Sequence, residues 1–396
     1  MALPVAVPVP RVLRPRRAAP SDAVRPTRAD INLGSLRHNL HVVRRFAGNS
    51  LVYGVLKADA YGHGAPAVAR TLERAGIDGI CVALLEEGIE LREAGIRAPI
   101  LIMGGYYGDA WSEVLARNLT PVVYEPAQIE ALAREVRYYE APPAAVHLKV
   151  DTGMARLGVR FERLEEMMDA FDQCPEVKLT GMMTHFANAD RGDLHLTDEQ
   201  CGVFDASVAM AEKRGHSSLM RHAANSAALM RTERYRYDMV RPGIALFGVE
   251  PSPDLAKDLR PVMRVRSEII ALRDIPEGAP AGYGSTWCAT RATRIATIPM
   301  GYADGVNRSL SNVGRVLVRG RSCAIVGNVS MDLIMVDVTA IPGVTLRDEV
   351  VVLGSQQGPL GSDTITPEEI AHASGTIPWE VLTGISRRVP RFYREP

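Results

Sequence analysis

Between Ile31 and about Gly248, short apolar runs alternate with amphipathic stretches, and this repetition constrains the fold more than any other feature of the chain. The apolar runs, residues 51–56, 79–84, 99–103, 121–124, 146–150, 179–184 and 244–247, have strand length and little polar interruption. Strands covered on both faces need that composition, because helices shield both sides of a parallel sheet. Amphipathic stretches such as 66–75, 85–94 and 127–136 lie between them and supply candidate helices. Such repetition over about 200 residues predicts an α/β fold, either a (β/α)8 barrel or a doubly wound sheet. After Pro261 the texture changes. Short β-rich runs at 262–272, 293–298, 315–318, 322–326, 334–338 and 349–353 sit between Gly, Pro and Asp turns, which reads as a separate, mostly-β domain.

A chain of 396 residues suits two or three domains, or one large barrel with an accessory domain, and 46% hydrophobic residues supply a sizeable core. Basic and acidic residues balance at 46 each, so no net field favours nucleic acid. No apolar run approaches the roughly 20 residues that cross a bilayer, so no membrane partner is expected. Five cysteines (Cys81, Cys174, Cys201, Cys288, Cys323) stand far apart without a C-x-x-C pair. That fits a reducing cytoplasm and speaks against a disulfide scaffold or a structural zinc. Residues 1–27 are rich in Pro, Ala and Arg, with prolines inside the apolar part and the arginines after it. They read as a disordered tail and not as a secretory signal.

Chemistry gathers where the strands end. Lys57 closes the run 51–56, and the turn residues Ala58-Asp59-Ala60-Tyr61-Gly62-His63-Gly64 follow at once. A lysine at the buried end of a strand loses the hydration that stabilises its ammonium, so it deprotonates readily and becomes a nucleophile. Such an amine captures carbonyl cofactors, pyridoxal phosphate (PLP) among them. A lysine that merely snorkels at a strand terminus fits the same segment. Lys149-Val150-Asp151-Thr152-Gly153-Met154-Ala155-Arg156 follows another strand and ends in an arginine able to grip a carboxylate or a phenolic oxygen. His185 follows a third. Asn225 and Ser226 precede an alanine-rich helix start, and Met239-Val240-Arg241-Pro242-Gly243-Ile244 offers a glycine whose backbone can approach a ligand closely. Both lie late in the repeat, where barrels bind phosphate with loop amides and a helix N-terminus. Asn225 serves equally as an N-cap, Arg241 as an ion-pair residue and His185 as a core histidine. His185 and His195 have no ligand spacing, so no metal is expected.

Taken together, these segments resemble the alanine racemases, PLP enzymes built from a barrel and a β domain. The resemblance covers about Thr27 to Pro396. It rests on Lys57-Ala58-Asp59-Ala60-Tyr61-Gly62-His63-Gly64, Val150-Asp151-Thr152-Gly153-Met154, Ala281-Gly282-Tyr283-Gly284-Ser285, Met300-Gly301-Tyr302-Ala303-Asp304-Gly305 and Val329-Ser330-Met331-Asp332. It implies a (β/α)8 TIM-type barrel over 28–260, whose first strand, about 28–34, pairs with the β domain, followed by a C-terminal mostly-β domain over 261–396. It also implies interconversion of L- and D-alanine by two bases, supplying D-alanine for cell-wall peptidoglycan in the cytoplasm. A broad-spectrum racemase acting on serine, lysine or arginine is the alternative.

The roles implied by the resemblance fall on particular residues. Lys57 would hold PLP as an internal aldimine and act as the base for the D enantiomer. Tyr283, from the partner subunit of a homodimer with sites at its interface, would be the base for the L enantiomer. Tyr61, Asn225, Ser226, Gly243 and Ile244 would bind the cofactor around its phosphate. Arg241 would face the pyridine nitrogen, and His185 would bind the cofactor and favour the Tyr283 phenolate. Arg156 would meet the substrate carboxylate and the phenolic oxygen, oriented by a carbamylated Lys149. The Met331 amide would bind the carboxylate, with Asp332 beside it and Tyr302 lining the entrance. Three positions depart from the family pattern: Asp59 for the usual asparagine, Ser330 for cysteine, and Trp379 for a phosphate-contacting tyrosine. Trp379 would still bind the cofactor, but an indole N–H donates and cannot accept, so it would offer the phosphate a single donated hydrogen bond.

Overall fold

The computed structural model describes residues 23–105, 108–255 and 258–395. The chain enters through β1 (Arg28–Asn32) and a helix over Leu33–Ala47. Eight strands then alternate with helices: β2 (Leu51–Val55), β3 (Gly79–Val82), β4 (Ile100–Ile102), β5 (Thr120–Val123), β6 (Ala144–Lys149), β7 (Val177–Met183), β8 (Met220–His222) and β9 (Met239–Val240). β2 to β8 pair in parallel in chain order, and β9 returns to β2, with Leu51 opposite Met239. Hydrogen bonds from Asp238 N to Arg221 O (3.1 Å) and from Arg241 N to Ala224 O (2.9 Å) join β8 to β9. The circuit is closed, which decides for the barrel over the doubly wound sheet.

The surrounding helices form for the reasons their sequences suggest. Pro126–Tyr138 starts on a proline, and Gln128 Oε1 accepts from the N–H groups of Tyr124 (2.8 Å) and Glu125 (3.1 Å). Its buried stripe, Ile129, Leu132, Ala133 and Val136, follows the helical spacing and faces the barrel strands. Ile129 and Leu132 are fully buried, each adding about 1.5–3 kcal/mol.

Two strand assignments change. Residues 244–247 form a 3-10 helix, Ile244–Phe247, and not a strand. All four are buried, and periodicity cannot separate a short buried helix from a short buried strand. The last two barrel strands are instead Met220–His222 and Met239–Val240, too short to show a period in sequence.

Beyond the barrel, β10 (Met263–Glu268) begins a seven-stranded sheet. β1 lies within this sheet, antiparallel to β10 and parallel to Arg391–Arg394. A three-stranded sheet of Ala271–Ile275, Thr293–Ile298 and Ile334–Asp337 completes the mostly-β region. One continuous apolar core runs from Leu72 and Val146 of the barrel to Val265 and Val350 of this region. Of the expected tail over 1–27, residues 1–22 lie outside the described residues. Its end is anchored: Thr27 is fully buried and Arg25 pairs with Asp304. Among the described residues, no helix is long and apolar enough to cross a membrane.

Candidate active site

The C-terminal ends of the barrel strands bring the expected barrel residues to one mouth. Lys57 follows β2, Lys149 ends β6, His185 follows β7, Ser226 follows β8 and Arg241 follows β9. Loops at this end carry the chemistry of barrel enzymes.

Lys57 is exposed at the mouth, contrary to the buried strand end expected, because the chain turns sharply there. Ala58, Asp59, Ala60 and Tyr61 all have positive φ, between 51° and 58°. A left-handed turn of L-residues costs about 1–2 kcal/mol per residue, so its surroundings must hold it. Glu87 Oε1 accepts from Ala58 N (2.6 Å), while its Oε2 accepts from Ala83 N (2.8 Å) and Leu84 N (3.1 Å). Asp59 Oδ1 accepts from Ala65 N (2.7 Å), a bond that an asparagine oxygen makes equally well. Arg391, on the last strand, donates to Gly62 O (2.9 Å). The turn sends Tyr61 back into the barrel, where it is 6% exposed.

Positive charge dominates the mouth. Crowding by the surrounding mouth strips part of the Lys57 hydration, and this desolvation, then the charge of Arg156, pushes its ammonium below the usual lysine range against the opposing pull of Glu87. Lys149 is buried, and desolvation with Arg156 and Arg241 nearby pushes it down to about 8. His185 is held well below the usual range by burial and by Arg241, Arg156, Lys149 and Lys57, so it is neutral. Such a surplus suits a ligand carrying more than one anionic group. Asp151 Oδ1 accepts from the N–H groups of Gly153, Met154 and Ala155 (3.0–3.1 Å) and shapes the loop bearing Arg156. Gln200, fully buried, donates to Thr152 Oγ1 (3.1 Å) and His185 O (3.2 Å), tying that loop to the one after β7.

Arg241 is 2% exposed and donates to Thr184 O (2.8 Å), Ala223 O (3.0 Å) and His222 Nδ1 (2.7 Å). Arginine has no acceptor, so His222 Nδ1 accepts and its proton sits on Nε2. That N–H then donates to His147 Nδ1 (2.8 Å). Burial keeps both imidazoles neutral, His147 pushed down to about 4. Arg241 itself is lowered to about 10 by burial, and it remains protonated at neutral pH.

Beside it lies a small cradle. A Cβ at Gly243 would fall 2.3 Å from Tyr61 Oη, so only glycine lets the two meet. Ser226 Oγ accepts from Gly243 N (3.0 Å) and Ala245 N (3.4 Å), fixing the start of Ile244–Phe247. Asn225 caps the helix Ser226–Arg231 through Ala228 N (3.0 Å). Trp379 is not brought into this cradle. It lines, with Phe247 and Leu382, another cavity of 710 Å³.

The remaining expected residues form a second cluster on the mostly-β region. Tyr283, Tyr302 and Met331 line one cavity of 390 Å³ with Arg308, Asn328 and Ser330, and no barrel-mouth residue shares it. They are 75%, 42% and 53% exposed. Asn328 Nδ2 donates to Tyr283 O (2.7 Å), and Arg388 pairs with Asp332 (2.7 Å). Sequence reasoning missed Glu87, Gln200, His147 and Arg391, each of which makes a contact distant in the chain: with Ala58, Thr152, His222 and Gly62. His222, three residues before Asn225, gave no strand-end signal, because its strand Met220–His222 is too short to show a period. Among the described residues, no group of three or more His, Cys, Asp or Glu side chains could hold a metal.

Comparison with known proteins gives one consistent answer. Profiles described as "Alanine racemase, N-terminal domain" and "Alanine racemase, C-terminal domain" match residues 31–251 and 262–393. The chain is 59% identical to the alanine racemase of Sorangium cellulosum, over 94% of this chain and 100% of that one. It superposes on an alanine racemase from Clostridium difficile 630 with a TM-score of 0.88 at 37% identity, over 94% of this chain and 96% of the other. A Bartonella henselae alanine racemase with covalently bound pyridoxal phosphate matches with a TM-score of 0.84 at 28% identity, over 93% and 99%.

Proposed function

The chain belongs to the alanine racemase family, and from that footing we propose how its residues divide the reaction. It interconverts L- and D-alanine with PLP as cofactor, and its likeness to enzymes named for alanine disfavours the broader alternative. The residues present fit that cofactor: the bare Gly243 backbone lets the Tyr61 hydroxyl close on it, Ser226 holds the Gly243 N–H, and Lys57 offers a depressed amine. When bound, PLP supplies an electron sink that makes the Cα proton of alanine removable.

Lys57 anchors the cofactor through its amine and is the base on the D side. Tyr61, Asn225, Ser226, Gly243 and Ile244 cradle the phosphate. Arg241 would face the pyridine nitrogen and keep its own proton, which would leave that nitrogen unprotonated and the ring a weaker electron sink. Return of the proton to Cα is thereby favoured over other positions. Arg156 meets the substrate carboxylate. Lys149, at about 8, exposes enough neutral amine to react with carbon dioxide: nitrogen attacks the carbon, a C–N bond forms and a proton leaves to solvent. The resulting carbamate turns repulsion of Arg156 into attraction.

Exchange of a proton between the two faces of Cα needs a base on each face. Tyr283, Tyr302 and Met331 share an exposed cavity that Lys57 does not line, and this observation carries the proposal of a homodimer. The partner subunit's Tyr283 meets the barrel mouth as base for the L side, where the cationic cluster and a hydrogen bond from His185 favour its phenolate. The partner's Met331 amide receives the carboxylate, with Asp332 beside it and Tyr302 at the entrance. D-alanine so made serves cell-wall peptidoglycan, and the enzyme works in the cytoplasm, a placement favoured by five unpaired cysteines. Hybrid dimers test the shared site. Subunits carrying Lys57→Ala and Tyr283→Phe, mixed equally, should regain about a quarter of the parental activity, because half the dimers are hybrids with one intact site in two. A site contained in one chain would regain none.

A further inference from the structure

The segment before β1 does more than lead into the fold. Thr27 is fully buried, its Oγ1 bonding Pro299 O (2.6 Å) and Ser267 Oγ (2.8 Å), so the chain runs against the start of the 299–305 turn. Two residues earlier, Arg25 grips Asp304 with both arms, Nη1 to Oδ2 at 2.9 Å and Nη2 to Oδ1 at 2.7 Å. Asp304 is wholly buried, and the Arg25 side chain is only 28% exposed.

Asp304 in turn organises the turn that bears Tyr302. Its Oδ2 accepts from Gly301 N (3.1 Å), and its carbonyl accepts from Ser386 N (3.1 Å). The same turn is stitched to the Met331 segment: Tyr302 N donates to Ser330 O and Ala303 N to Met331 O, both at 3.0 Å. The fit is close enough that a Cβ on Gly301 would fall 2.3 Å from Ser330 O and 2.4 Å from Met331 O. The second cation near Asp304 is Arg388, whose Nε stands 3.5 Å away and whose Nη2 is engaged with Asp332 (2.7 Å). Bidentate geometry and low exposure thus concentrate the anchoring of Asp304 in Arg25.

We propose that Arg25 is a positioning residue for substrate binding: through Asp304 it fixes the 301–305 turn against residues 330–332 and so sets Tyr302 and Met331. The inference rests on the reading above that these two residues meet substrate. Arg25 pairs with Asp304, which is not among the residues assigned to the reacting atoms or the cofactor, so its loss acts on alanine binding and not on the proton transfers. An interaction felt equally by ground and transition states appears in KM and spares kcat.

The test is Arg25→Gln and Arg25→Lys in the PLP-loaded enzyme, with steady-state kinetics on both enantiomers and hydrogen exchange at the Tyr302 and Ala303 amides. Arg25→Gln should raise KM for L- and D-alanine about ten-fold with kcat within about three-fold, leave PLP affinity unchanged, and speed exchange at those two amides. Arg25→Lys, which keeps the charge and loses the fork, should recover part of the KM. Faster local exchange with an unchanged KM would overturn the proposal through its premise, because the turn would then be anchored without holding substrate. Unchanged exchange, or exchange quickened throughout the chain, would overturn the anchor itself.

Discussion

Replacing Gly243 by alanine probes the phosphate cradle at its tightest point. The new Cβ would lie 2.3 Å from Tyr61 Oη and 3.0 Å from its Cζ, where ordinary contact begins at 3.4 Å. The Tyr61 ring must therefore retreat by about 1 Å, an overpacking that typically costs 1–3 kcal/mol. The ring is 6% exposed and packs on Phe247 with centroids 4.9 Å apart, so its retreat is a small shift against that neighbour. The unliganded chain can relax by letting the ring shift, whereas bound phosphate calls Tyr61 back to its place. The cost then falls on PLP affinity, which should weaken about 5–150-fold. Titration of the apoenzyme with PLP, followed by absorbance, measures it. In a Tyr61→Phe background the 2.3 Å contact is gone and only the 3.0 Å one remains, so the added penalty of Gly243→Ala should drop below about three-fold. Equal penalties in both backgrounds, or parental affinity in the single variant, would refute the cradle as described.

Three further outcomes are expected. A crystal structure of an active preparation should show carbamate density on Lys149, and a bare amine with no anion beside it would sink that assignment. Borohydride reduction followed by peptide mapping should place PLP on Lys57, and an adduct on any other lysine would contradict the anchor. His63 and His147 are buried neutral, pushed down to about 3 and about 4, while unfolded histidine titrates near 6.5. Below about 6.5 the unfolded chain binds protons that the native chain refuses, so stability falls as pH drops and levels off below about 3–4, by up to about 1.4 kcal/mol per pH unit for each histidine. Denaturant melts at fixed protein concentration should show this slope, and His147→Gln should reduce it.

Much of the barrel was legible because β2 to β7 are apolar runs of ordinary strand length. Its closure was not. Met220–His222 carries an arginine and a histidine, and Met239–Val240 spans a single pair, so neither shows a period. The Lys57 segment was legible as a motif, yet its left-handed turn runs against the preferences of Ala58, Ala60 and Tyr61. Such a conformation is imposed by Glu87, Ala65 and Arg391 from outside, and local propensity says nothing of them. Arg25 escaped notice for a related reason: it sits beside a proline-rich tail, and its partner lies 279 residues away. Trp379 stands where the family pattern has a tyrosine, and the structure seats it along another cavity.

The central claim is that two bases, Lys57 and the partner subunit's Tyr283, serve opposite faces of Cα. Deuterium wash-in followed separately from each enantiomer of alanine in the Tyr283→Phe enzyme tests it most directly. The variant removes one exposed hydroxyl, so PLP binding and assembly should be kept while racemisation falls by about 10²–10⁴-fold. Exchange at Cα of L-alanine should fall with it, and exchange from D-alanine should suffer much less because Lys57 remains. Equal loss from both enantiomers, or near-normal racemisation, would contradict the two-base account.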